Sequence, residues 1–158
     1  MLLLGLGAWV MIAACSSSGG GNSKVRDDLS VDEAKAQLQK MVIDTAEAAA
    51  PGRPRPVFDD IGPTGCEDAD VSPHVFSTWS VNVKLEDGRD PAELLPAVEA
   101  HWEERGYDID RHRLDDPEPE LIARTKGFAI TALAVPGSGQ LNIGGDTPCV
   151  PNPERDQG

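Results

Sequence analysis

Three cysteines, three histidines and several carboxylate-rich runs are the side chains of this 158-residue chain best equipped for chemistry. Nucleophilic hydrolysis needs a serine or cysteine beside a base that a third group orients. His74, His101 and His112 lie near no such motif, and Gly137-Ser138-Gly139 lacks the spacing of a nucleophile elbow and reads as a hairpin turn. Acid and base work on a glycoside needs two carboxyl groups facing each other across a cleft. Asp115 with Asp116, and Glu118 with Glu120, are neighbours in one acidic stretch, a poor arrangement for that geometry. Asp59, Asp60, Glu67, Asp68 and Asp70 could gather oxygen ligands for calcium, yet no stretch has the glycine and closing glutamate of a calcium loop. No dinucleotide fingerprint or phosphate loop is present. The expectation is a chain that is not an enzyme, with no catalytic residues, no metal and no cofactor.

Cys15 belongs to a different chemistry. Residues 2–14 form an uncharged apolar run ending in Ile12-Ala13-Ala14, with Cys15 and a Ser/Gly tract directly after it. The run has the length of a signal-peptide core and is too short to cross a bilayer as a helix. Small residues explain a cleavage site but not the cysteine that follows, and the pattern resembles the lipobox of bacterial lipoproteins. That resemblance implies a thiol that takes diacylglycerol and becomes the new N-terminus. Met1 runs straight into Leu2 without the usual Lys or Arg ahead of the apolar run, so the reading places the true start upstream. Each buried CH2 of an acyl chain contributes about 0.8 kcal/mol, so two or three chains hold a protein firmly. The expected organisation is a lipoprotein signal peptide over residues 1–14, lipidated Cys15 with a flexible tether over 15–28, a globular domain over 29–151 and a polar tail over 152–158. The lipid bilayer is then a partner through acylated Cys15, and the protein sits on the extracytoplasmic face of the cell membrane.

With Cys15 assigned to lipid, Cys66 and Cys149 remain as an even pair in an exported chain, and a disulfide is the natural reading. Neither has a Cys or His partner at zinc-site spacing. The formal charge of -13 is repelled by phosphate backbones, which argues against nucleic acid as a partner.

The elements that must position these residues can be read from periodicity. Ser30 and Glu33 have capping-box spacing, and Val31, Ala34, Leu38, Met41, Val42, Thr45 and Ala49 recur on one helical stripe until Pro51-Gly52. Residues 53–73, rich in Pro, Gly and Asp, read as a long loop held down by Cys66. Val75, Trp79, Val81, Val83 and Leu85 alternate with Phe76, Thr78, Ser80, Asn82 and Lys84, the signature of a half-buried strand. Asp90, Pro91 and Glu93 open a second helix whose buried stripe is Leu94, Leu95, Val98 and Trp102, and Gly106 ends it. Pro96 predicts a kink or a first turn separated from the rest. Strands follow over residues 107–114, 121–125, 128–135 and 140–143, the third apolar on both faces and therefore central. The order predicts an α+β fold of two layers, an antiparallel-rich sheet of four to five strands with two helices on one face and one disulfide.

Taken together, lipobox Cys15, the long N-terminal helix, Cys66 in an acidic loop, Gly106-Tyr107 and the run Leu141-Asn142-Ile143-Gly144-Gly145-Asp146 into Cys149 resemble the LppA-like lipoproteins of actinobacterial envelopes. The resemblance implies an exported lipid anchor, a small α+β domain and one disulfide, and it implies no established reaction. One sheet face should remain uncovered by helices, carrying Phe76, Thr78, Ser80 and Asn82 as the partner face for another envelope protein. A protein-binding or accessory module is the leading expectation, ahead of a small-ligand or divalent-cation binder and of an envelope hydrolase.

Overall fold

A computed structural model describes residues 24–67, 72–86 and 88–154. The signal segment, Cys15, residues 16–23 of the tether, Asp68, Asp70 and the last four residues of the tail lie outside the described residues.

Helix α1 (Val31–Ala49) begins where its capping box predicts. The Glu33 amide donates to Ser30 Oγ at 3.3 Å, and the Ser30 amide donates to Glu33 Oε2 at 2.9 Å, so two otherwise orphaned N–H groups are satisfied reciprocally. Ala34, Leu38, Val42, Thr45, Ala46 and Ala49 form its buried stripe. The chain turns at Gly52, with φ 68°.

The seven strands among the described residues are β1 (Val57–Gly65), β2 (His74–Lys84), β3 (Asp108–Arg113), β4 (Glu120–Thr125), β5 (Phe128–Val135), β6 (Gln140–Asp146) and β7 (Val150–Pro151). They form one antiparallel sheet in the order β1-β2-β6-β5-β4-β3, with β7 paired to the start of β2. This is an α+β fold, with more strands than the four to five read from the sequence. The difference lies in residues 53–73, read as a loop, where β1 occupies residues 57–65 as an edge strand. Almost every side chain of β1 is exposed, and register shifts interrupt its pairing on both sides of Asp59–Ile61. An edge strand that buries so little has no alternating pattern to betray it.

Helix α2 (Leu95–Glu104) connects β2 to β3 at the far edge, after a 3-10 turn over Pro91–Leu94. Pro96 falls in the first turn of α2, where its missing N–H costs no hydrogen bond, and the 3-10 turn is the separate segment that Pro96 required. Asp90 caps that turn through Ala92 N at 3.0 Å.

Both helices cover one face of the sheet. Helix α1 packs on β2 and β6 and against α2, which reaches β3, β4 and β5. Trp79, Val81 and Val83 of β2, Leu141 and Ile143 of β6, and Phe128, Ile130, Ala132 and Ala134 of β5 join Leu38, Val42, Val98 and Trp102 in one core. Fully burying a Val, Leu or Ile contributes about 1.5–3 kcal/mol, so this layer contact is the main source of stability.

A disulfide joins Cys66, just past β1, to Cys149, just before β7, with the two Cα atoms 6.2 Å apart. Val25 bridges Cys149 in parallel, and the Arg26 amide donates to the Cys149 carbonyl at 2.8 Å. Val25 and Arg26, read from the sequence as part of the tether, are thus bonded to the domain.

Candidate functional site

The face of the sheet opposite the helices is built from the alternate residues of each strand. The pairings align Ile61, Thr78, Asp146, Ala129, Arg124 and Asp108 in one row across it, with Asp59, Ser80, Gly144, Thr131, Ile122 and Asp110 in the next. The four residues read as a partner face do share this side of β2, but they do not present equally. Phe76, Thr78 and Asn82 are half-buried, whereas Ser80 is only 4% exposed. The Asp59 amide donates to Ser80 Oγ at 3.1 Å, so β1 and not solvent occupies that hydroxyl. Thr78 Oγ1 donates to Asp146 Oδ1 at 2.5 Å across the ladder.

Two features were not read from the sequence. The first is on the edge strand β1, where Val57, Phe58 and Ile61 stand 55%, 57% and 51% exposed. They are three of the five large apolar side chains that are exposed among the described residues. Ile61 pairs with Thr78 on this face, and Val57 with Val81 of the helix-covered face. At the other edge, Asp108, Asp110, Arg111, His112 and Arg113 fill β3 with charge, the usual protection of an open edge. Arg111 also reaches back to Glu99 and Glu103 of α2.

The second is an open groove of about 710 Å³ at the end of the face beside the disulfide. Phe76 and Ala129 of the outer face contribute to its lining, with Val25 and both disulfide cysteines. Its charged residues are Lys24, Arg124 and Lys126, and Glu67, Asp108 and Asp146. The Lys126-Gly127 hairpin turn touches the N-terminal segment, because a Cβ built on Gly127 would lie 3.3 Å from Lys24 Cβ. Arg26 Nη1 also donates to the Lys126 carbonyl at 3.0 Å. Lys126 has φ 49° and is the one non-glycine residue with positive φ among the described residues. Asparagine, aspartate or glycine is usual before the glycine of such a hairpin turn, so Lys126 is an unusual occupant of that position.

The histidines are held apart on separate elements. His74 Nδ1 lies 2.8 Å from Glu67 Oε1 and its Nε2 3.5 Å from Asp27 Oδ1. His101 Nε2 accepts from Arg105 Nε at 3.0 Å, and burial pushes its ring pKa down, helped by the Arg105 charge. His112 pairs with Asp110, whose carboxyl it holds below the usual range. Glu67 also accepts from Ser72 Oγ, which with His74 depresses its pKa. Ser72 thus meets the carboxylate and not the imidazole, an order that cannot generate a serine nucleophile.

Of the acidic residues considered as calcium ligands, the three among the described residues disperse. Asp59 faces Ser80, Asp60 pairs with Lys35 on α1, and Glu67 serves Ser72 and His74. No group of three or more His, Cys, Asp or Glu suited to a metal occurs among the described residues. Asp116 and Glu120 share Arg113. No helix among the described residues is long and apolar enough to cross a membrane.

Compared with known family models, curated proteins and solved structures, the chain matches none.

Proposed function

We propose that this chain is a lipid-anchored envelope lipoprotein that works as a binding module, engaging another envelope protein through the uncovered side of its sheet. The observation that carries the reading is the asymmetry between the two sheet edges, charged along β3 and apolar along β1 at Val57, Phe58 and Ile61. A clustered apolar surface on an otherwise highly charged chain is the usual mark of a protein contact. Ile61 sits directly across from Thr78, so the apolar edge continues into the face that carries Phe76. The anchor rests on Cys15 and its apolar leader, and the LppA-like resemblance agrees with it.

The test is crosslinking in intact cells of the source organism, followed by isolation from the membrane fraction and an intact-mass measurement. The expected results are acyl chains on Cys15 and one protein recovered near stoichiometry. That protein should disappear from the Phe58→Ser, Ile61→Lys double variant and weaken with Phe76→Ala. An unchanged set of co-purifying proteins in all variants would overturn the partner-binding reading.

A further inference from the structure

We propose that the groove beside the disulfide binds the headgroup of a bilayer phospholipid that carries both a phosphate and a primary amine. The inference rests on the lipid-anchor reading for its source of ligand, while the chemistry comes from the groove itself.

The charged lining is three cations and three carboxylates, which cancel in a chain whose formal charge is -13. A net anion would meet Glu67, Asp108 and Asp146, and a net cation would meet Lys24, Arg124 and Lys126. A zwitterion complements both sets. Lys24 and Lys126 form no ion pair with another described residue, and the Asp108 side chain likewise has no hydrogen-bond or ion-pair partner among the described residues. Lysine is a point-charge binder of phosphate, and a carboxylate is the natural acceptor for an ammonium group. At physiological salt the screening length is about 8 Å, so this local balance and not the remote acidic surface decides what the groove attracts.

The apolar part of the lining suits the portion of a lipid next to its headgroup. Val25 is 44% exposed, and Phe76, Ala129 and the disulfide lie with it. The volume falls within the roughly 300–1,000 Å³ of small-molecule sites.

Position supplies the source. Lys24 follows Cys15 by about nine residues, which span at most roughly 30 Å when fully extended. The groove therefore opens at the root of the tether, on the part of the domain held nearest the anchor.

Lys126 adds an independent observation. Its left-handed φ is a strained conformation for a lysine that asparagine or glycine would adopt freely, and strain retained at a surface turn points to use of that side chain. Lys126→Gly removes the ammonium while favouring the same backbone.

The test uses the full acylated chain. In micelles, calorimetric titration with soluble glycerophosphoethanolamine is compared with glycerophosphoglycerol, which has the phosphate without the amine. In vesicles of phosphatidylcholine with and without phosphatidylethanolamine, the reactivity of Lys126 toward an amine-labelling reagent is read by mass spectrometry as a ratio to exposed Lys84, which corrects for reagent consumed by the lipid amine. Support is binding of the amine-bearing compound at least tenfold tighter than its counterpart, and protection of Lys126 only with phosphatidylethanolamine present. Lys126→Gly and Asp108→Asn should each weaken binding about tenfold, with the unfolding midpoint of Lys126→Gly no lower than that of the parent. Equal binding of the two compounds, no binding at millimolar concentration, or unchanged binding in both variants would overturn the site. Binding in micelles without protection in vesicles would overturn the bilayer as its source. A chain recovered from the membrane fraction without acyl chains on Cys15 that still binds in micelles would overturn the anchor reading and leave the headgroup site standing, because the micelle titration does not depend on acylation.

Discussion

Trp102 Nε1 donates a hydrogen bond to Thr45 Oγ1 at 3.0 Å, and both side chains are fully buried between α1 and α2. Thr45 Oγ1 in turn donates to the Met41 carbonyl at 2.8 Å. The pair lets the largest fully buried side chain lie against α1 with its one polar atom satisfied. Thr45→Val keeps the volume and strands the indole N–H, which costs about 1–3 kcal/mol. The denaturant midpoint should fall while the slope of the transition stays unchanged, and an unchanged midpoint would mean that the indole finds another acceptor.

Gly145 lies between β2 and β5, where a Cβ would come within 2.2 Å of the Ala129 carbonyl oxygen. Its neighbour Gly144 faces Ser80 with a similar conflict at 2.4 Å. The Gly-Gly pair near the end of β6 therefore permits close approach of its neighbouring strands and is not a loop signal. Gly145→Ala meets backbone that cannot swing aside, so it should cost about 1–3 kcal/mol or more as an overpacking change. Thermal unfolding of this variant beside Gly88→Ala checks the reason, since Gly88 has open space around it and strain only from its φ of 67°.

Those two glycines also show where the sequence was legible. Elements that bury one face were visible from their periodicity, as α1, β2 and α2 were, because burial imposes the pattern, and β5 was visible as a run apolar on both faces. Strand β1 was not, because exposure of Val57, Phe58 and Ile61 removes any alternation and Pro63 argues against a strand. Strand β6 runs to Asp146, beyond the Ile143 read from the sequence, because Gly144 and Gly145 continue the ladder where the neighbouring strands approach closely. The Cys66–Cys149 bond needed only counting. The groove was hidden for another reason. Lys24, Phe76, Asp108, Lys126 and Asp146 come from five separate segments, and their meeting depends on strand order, which no local pattern states.

Replacing Cys66 and Cys149 together by alanine should cost about 4–5 kcal/mol, because the bond closes a loop of 83 residues in the unfolded chain. The same bond pins Cys149, which holds Val25 and Arg26 against the domain. Amide exchange at Arg26 should therefore quicken in the double variant more than exchange within α1. Equal quickening at both would mean that the N-terminal segment has no local dependence on the disulfide.

Acid should destabilise the domain through carboxylates tied to named partners. The Arg26 side chain hydrogen-bonds Asp28 and pulls its pKa down to about 2, well below the usual carboxylate range. Hydrogen bonds from the Ser30 amide and hydroxyl lower Glu33, and those from Ser72 and His74 lower Glu67. A carboxyl group with a depressed folded pKa stabilises the fold fully above its unfolded value and loses that contribution as pH falls through the folded one. The sum should therefore be flat above about pH 5 and decline between about pH 4 and 2. These groups face solvent, so salt should shrink the effect. Glu33→Gln separates the capping contribution, since the amide oxygen still accepts from Ser30 but no longer titrates. Its stability should fall less between pH 4 and 2 than that of the parent, and parallel acid curves would exclude the Ser30–Glu33 pair as a source of the decline.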